Sequence, residues 1–134
     1  QAALWAGIAD KTIDLVETDH APHTRDEKKS TKPPYGVPGV ETAVGLLFLA
    51  VKKKKLSQKK VLDLLYHNPK QIFHIPDQPA TTIELDPDKA YIVGKDGYET
   101  KSGWSSFDGW KLYGKVEKVV LRGKAILENG KILN

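Results

Sequence analysis

Residues 12–24, TIDLVETDHAPHT, decide how the rest of the chain is read. TIDLV is a short run with the β-branched content of a buried strand. It ends by releasing an acid, two histidines and a proline within five residues: Asp19, His20, Pro22 and His23 in DHAPH. At the carboxyl edge of a strand in an α/β barrel, such a carboxylate stands where catalysis takes place. Asp19 there can bind a metal, take a proton, or do both. His23, beyond the turn fixed by Pro22, can hydrogen-bond an anionic substrate. On spacing alone, an Asp that caps a loop beside ordinary polar histidines explains the cluster equally well.

Outward from this stretch, TRDEKKSTKPPYGVPG (residues 24–39) is a long polar loop rich in Pro and Gly, a type that is often functional inside a compact domain. VETAVGLLFLAV (residues 40–51) is apolar nearly all round, as a buried helix is. It runs into KKKKLSQKK (residues 52–60), which reads as a solvated helix end, cations suiting the C-terminal dipole. Ser57 is placed to cap the next helix, whose apolar face is Val61, Leu64 and Leu65. HNPKQIF predicts a fresh helix, with Asn68 as its cap, Pro69 at the first helical position, and Ile72 and Phe73 packing it down. After about Ile75 the pattern changes. TTIELD and AYIV read as short strands, with Ile83 and Leu85 as alternating apolar positions. DPD and KDG read as turns. VEKVVLRGKAILENGKIL reads as two strands and a return, with Asn129–Gly130 suited to a type I′ turn.

Composition sets the limits. The 134 residues suffice for one modest domain. There is no Cys, hence no disulfide or thiolate metal site, and a reducing cytoplasmic setting is expected. No apolar run reaches the roughly 18 residues of a membrane span, so no membrane partner is expected. The net charge of +4 is carried mostly by Lys, with only Arg25 and Arg122 to supply guanidinium groups. Nucleic-acid readers favour Arg, and a nucleic-acid partner is not expected. The chain opens on Gln1 inside a helix-like pattern and holds no Met, which predicts a fragment of a longer chain.

TDHAPHT, followed by Glu27–Lys28 and by PPYGVPGVET (Pro33 to Thr42), resembles the C-terminal part of dihydroorotases, metal-dependent cyclic amidohydrolases. The similarity is greatest to the dihydroorotase domain of the multifunctional animal pyrimidine-synthesis protein. It continues through HNPKQIFHIPDQPATTIELD and KSGWSSFDGWKLYGKVEKVVLRGKAILENGKIL, covering essentially the whole chain. Related dihydropyrimidinases and allantoinases typically place another residue where His23 stands.

The resemblance implies an α/β fold: the last strand–loop–helix unit of an amidohydrolase TIM-type barrel, followed by helices and a small β module. Residues 1–75 would end the barrel, and 76–134 would form a β-sandwich-like module that wants an N-terminal partner strand. The implied reaction is the reversible cyclisation of N-carbamoyl-L-aspartate to L-dihydroorotate in de novo pyrimidine biosynthesis, with Zn2+ as cofactor in a binuclear site. Asp19 matches the metal-binding aspartate that also shuttles the proton. His23 matches the histidine that holds the substrate carboxylate. Tyr35 and Gly36 match loop positions whose backbone contacts substrate. Tyr35 stands where the nearest relatives have Pro, a change a backbone contact tolerates. His20 belongs to the motif and reads as a packing or supporting histidine rather than a ligand.

The remaining metal ligands of that family come from earlier strands and are not in these residues. The implied partners are therefore the small-molecule substrate, an N-terminal barrel segment and further copies in a homo-oligomer, with the isolated segment inactive. The alternatives are a non-catalytic dihydroorotase-like module or another cyclic amidohydrolase of dihydropyrimidinase or allantoinase type. Trp104, Phe107 and Trp110 are read as packing residues near the β module, and Glu41 as an acid favouring a helix start.

Overall fold

The computed structural model describes residues 1–133 as a helical portion followed by antiparallel strands. Helix α1 spans Ala2–Ala9, the single-turn α2 Arg25–Lys28, α3 Ala43–Lys52, α4 Gln58–Leu62 and α5 Asn68–Ile72. The strands are β1 Thr82–Asp86, β2 Tyr91–Ile92, β3 Lys111–Leu112, β4 Lys115–Leu121, β5 Lys124–Glu128 and β6 Lys131–Ile132. No helix among the described residues is long and apolar enough to cross a membrane.

Helix α3 is the apolar run anticipated, and it buries Gly45, Leu47, Phe48 and Ala50. Leu47 and Phe48 form a core with Val61 of α4, flanked by Val16, Val44, Val51, Leu56, Leu65, Leu85 and Tyr113. The Lys run closes α3. Lys54 turns into the left-handed region at φ +56°, and the amide of Lys55 returns to the Ala50 carbonyl. The Lys side chains here are exposed, Lys55 lying 5.0 Å from the ring of Trp5 and Lys52 5.3 Å from that of Tyr113.

Ser57 caps α4 as predicted, its hydroxyl accepting from the amide of Lys60. The restart at Asn68 does not occur. A π-helical turn, Asp63–His67, joins α4 to α5 without a break, and the amide of Asn68 bonds five residues back to Asp63. A proline inside an α-helix lacks the amide and collides with the carbonyl four residues earlier; one widened turn just before Pro69 relieves both problems. Asn68 is thereby freed, and its side-chain amide donates to the Asp14 carbonyl at 2.6 Å. Ile72 and Phe73 do not pack down: they are 46% and 64% exposed.

TIDLV is not a strand in this structure. A strand exists by its ladder, and no strand lies beside residues 12–18 among the described residues. Its backbone is held otherwise, with the Ile13 amide on the Gly7 carbonyl and the Val16 amide on the Leu64 carbonyl.

The four-stranded sheet has the order β1-β4-β5-β6, all antiparallel, and β2 pairs separately with β3. Asn129 and Gly130 both have positive φ, as the type I′ turn requires. Arg122–Gly123 makes the same turn between β4 and β5 (φ +51° and +83°), which the sequence reading passed over. Ile83 is 65% exposed although Leu85 packs on the core, and β4 carries an extra residue, Glu117, where the register slips between them. No residue of β4 or β5 is fully buried. The β2–β3 pair seats on α3: a side chain at Gly45 would meet the Tyr91 hydroxyl and Leu112.

Candidate functional site

Two loop segments are laid against each other where TIDLV ends. His20 forms a parallel bridge with Val37, and the amide of Ala21 bonds the Val37 carbonyl at 3.1 Å. Gly36, at φ +94°, presses so closely on Ala21 that a Cβ there would sit 2.3 Å from the alanine methyl. A Cβ on Gly39 would come within 3.1 Å of Thr18. The imidazole of His20 reinforces this seam, its Nδ1 accepting from the amides of Gly39 (3.0 Å) and Val40 (3.2 Å). An accepting Nδ1 places the ring proton on Nε2. His20 thus supports the loop.

Asp19 is exposed and takes a left-handed backbone at φ +43°, a conformation that Asp and Asn tolerate better than other side chains. Its amide is held by the Glu17 carboxylate at 2.7 Å. No hydrogen-bond donor among the described residues reaches its own carboxylate.

His23 is half-buried and its backbone is fixed at both ends. Its amide donates to the Ala21 carbonyl at 3.0 Å, and its carbonyl accepts from the indole N–H of Trp104 at 2.7 Å. Thr24 follows immediately as the cap of α2 in a reciprocal capping box with Glu27. The Thr24 amide gives a 2.7 Å bond to the Glu27 carboxylate, and the Glu27 amide a 3.2 Å bond to the Thr24 hydroxyl. The backbone and side-chain hydrogen bonds from Thr24, aided by the nearby charge of His23, hold the Glu27 carboxyl below its usual range.

Lys28 completes the loop. Its ammonium donates to the carbonyls of Pro34 (2.6 Å) and Gly36 (2.9 Å), bracketing Tyr35. The Tyr35 side chain is 96% exposed. Asp19, His23 and the 35–36 backbone therefore sit on one pair of locked loops, the group that the motifs put together. Sequence reasoning missed Lys28. Its signal was in view, a lysine directly after the capping-box glutamate and facing a turn with two prolines.

A second layer comes from residues 98–110. Arg25 pairs with Asp108 at 2.7 Å and lies 5.9 Å from the ring centre of Trp104. Asp108 also accepts from the Tyr98 hydroxyl. Partial burial first, then this bond and the charges of Asp108 and Glu41, push the Tyr98 phenol up to about 12. Phe107 and Trp110 stack edge to face at 5.3 Å, a packing contact as read. Glu41 does not serve the start of α3. Its carboxylate accepts from the amides of Glu99 (3.2 Å) and Thr100 (2.8 Å) and from the Thr100 hydroxyl, anchoring the 98–100 segment.

A zinc ion in a catalytic site takes three protein ligands and a water. Among the described residues no three His, Asp or Glu side chains converge. Asp19 alone does not fit such an ion, and any metal held here needs donors from outside these residues.

No family model matches the chain. Solved structures with a similar fold include hydantoinases and dihydropyrimidinases. L-hydantoinase (dihydropyrimidinase) from Arthrobacter aurescens matches 99% of this chain with a TM-score of 0.88 at 25% identity, over 33% of its own length. The architecture is thus a mixed helix-and-sheet segment of the amidohydrolase type. Sequence likeness is more particular and bears out the resemblance to dihydroorotases. The dihydroorotase of Pyrococcus horikoshii is 33% identical over 136 residues, 97% of this chain. The multifunctional protein pyr1-3 of Dictyostelium discoideum is 42% identical over 131 residues, 98% of this chain. The inactive dihydroorotase-like domain of a Chaetomium thermophilum CAD-like multifunctional protein superposes with a TM-score of 0.79 at 28% identity, covering 99% of this chain and 37% of that one. The chain spans 32% of the length of the Pyrococcus relative and 6% of the Dictyostelium one.

Proposed function

We propose that this chain is the C-terminal part of a dihydroorotase, which interconverts N-carbamoyl-L-aspartate and L-dihydroorotate in de novo pyrimidine synthesis in the cytoplasm. The observation that carries the proposal is the joint presentation of Asp19, His23 and the 35–36 backbone on two interlocked loops. In the hydrolytic direction a water oxygen adds to the ring amide carbon. Asp19 takes the proton this water releases and returns it to the ring nitrogen as the carbon–nitrogen bond breaks. His23 holds the substrate carboxylate, which lies away from the bond being broken, and the backbone of Tyr35 and Gly36 orients the ring. Asp19 is also proposed as one ligand of a binuclear zinc site. Its other ligands belong to a barrel segment that precedes these residues in the whole enzyme, so the 134 residues alone are inactive.

Residues 1–75 are proposed as the end of that barrel and 76–134 as a β-sandwich-like module. The half-buried sheet of β4 and β5, open to a further layer, supports the second assignment. A homo-oligomer is part of the same proposal.

The test is His23→Ala in the full-length enzyme. A charge-assisted contact contributes roughly 1.5–3 kcal/mol, so the Michaelis constant should rise by about tenfold or more. A cyclic substrate analogue lacking the carboxylate should be little affected. Equal losses for both would remove His23 from substrate binding and favour another cyclic amidohydrolase. A second assignment, a non-catalytic module, is favoured by the likeness to the inactive Chaetomium domain. Turnover by the full-length protein separates the two.

A further inference from the structure

We infer that Trp104 is a positioning residue for His23, so that the 98–110 segment sets how tightly the substrate carboxylate is held. The inference rests on the assignment of His23 as carboxylate binder and adds a residue that works through it. Trp104 lies 81 positions downstream, yet its indole N–H ends on the His23 carbonyl at 2.7 Å. That bond is partly buried, where a hydrogen bond lost on one side leaves an acceptor unmet. The other constraints on His23 are local, the Ala21 carbonyl before it and the Thr24–Glu27 capping box after it. Local turns fix the path of the chain but not its distance from the body of the protein. Trp104 adds a long-range tie at His23 itself, beside those that His20 and Ala21 make to residues 37–40. Arg25, two residues beyond His23, repeats the tie through Asp108, which also holds Tyr98. Two separate bonds thus join the same loop to the same downstream segment. With the peptide groups on both sides of His23 immobilised, the imidazole keeps only its own side-chain torsions, and less freedom is lost when a carboxylate binds.

The experiment is a double-mutant cycle in the full-length enzyme. Trp104→Phe keeps the aromatic bulk and removes the N–H. It should raise the Michaelis constant for dihydroorotate by about three- to tenfold, the worth of one hydrogen bond, with turnover changed by less than about twofold. In the His23→Ala background the same change should have no further effect, because the residue it serves is gone. If Trp104→Phe destabilises the fold, Asp108→Ala replaces it. That variant cuts an exposed tie of small stability value and should raise the Michaelis constant by about twofold. A raised constant in His23→Ala with unchanged constants in both other variants, or full additivity in the cycle, overturns the positioning role alone. An unchanged constant in His23→Ala overturns it too, and places the fault in the assignment of His23.

Discussion

Gly36 and Ala21 stand in contact closer than any side chain at position 36 permits: a Cβ on Gly36 would lie 2.3 Å from that of Ala21. This approach lets the 36–40 segment lie along Thr18 to Ala21. Gly36→Ala adds left-handed strain at φ +94° and a collision, together roughly 2–5 kcal/mol. The expected result is a lower unfolding midpoint together with a raised Michaelis constant in the full-length enzyme. A neutral outcome in both would mean that the loops do not meet as described.

Lys28→Met keeps the aliphatic stem and removes the donor that binds the Pro34 and Gly36 carbonyls. Loss of a partly solvated charged donor should cost roughly 1–2 kcal/mol. The 30–36 segment should then be cut faster by a protease under native conditions, and substrate affinity should fall. Unchanged cleavage in that segment would show the lysine to be dispensable.

The capping box gives a pH dependence with a definite sign. The Glu27 carboxyl is held below its ordinary value of 4.5. Its contribution to stability is therefore complete above that value and is lost as pH falls through the lower folded value. Glu27→Gln removes the carboxyl that titrates while keeping its length and its hydrogen bond to the Thr24 amide. Denaturation midpoints of parent and variant should differ at about pH 6 and converge towards about pH 3. A gap that persists undiminished at the acid end would contradict this origin.

Gly45→Ala sets two effects against each other. Alanine gains about 1 kcal/mol over glycine inside a helix, but here its methyl would meet the Tyr91 hydroxyl and Leu112, and overpacking costs about 1–3 kcal/mol. Net destabilisation is expected, partly reversed in a Gly45→Ala/Tyr91→Phe double variant that removes the nearest atom. Stabilisation by the single change would mean that the β2–β3 pair sits further from α3.

Features set by neighbours along the chain were legible. Ser57 announced a cap, Asn129–Gly130 a hairpin turn, and residues 40–51 a buried helix, because each depends on local torsions or local periodicity. Motif order singled out Asp19, His23 and Gly36 as candidates, and the structure puts Gly36 against Ala21, between the first two in the chain. What escaped depends on distant contacts. TIDLV has strand composition, yet a ladder needs a second strand that composition does not supply. Asn68–Pro69 carries the signature of a helix start. Val61, Leu64 and Leu65 on the preceding turns kept the helix running, and a π-turn absorbed the proline. Glu41 was placed at a helix start on grounds of charge, but unpaired amides at Glu99 and Thr100 claimed it. Trp104 was read as packing, although an indole N–H that is even partly buried needs an acceptor. Its acceptor, the His23 carbonyl, could be found only in three dimensions.

The most direct test of the proposed chemistry is the turnover of Asp19→Asn in the full-length enzyme. Asparagine tolerates the left-handed backbone at this position, so the fold should hold and an unfolding midpoint should confirm it. It cannot take the proton of the attacking water and is a poorer metal ligand. The turnover number should fall by about a hundredfold or more, the scale of a lost general base, with a much smaller change in substrate binding. A folded Asp19→Asn enzyme that turns over dihydroorotate at near the parent rate would contradict the assignment of Asp19 as the proton acceptor.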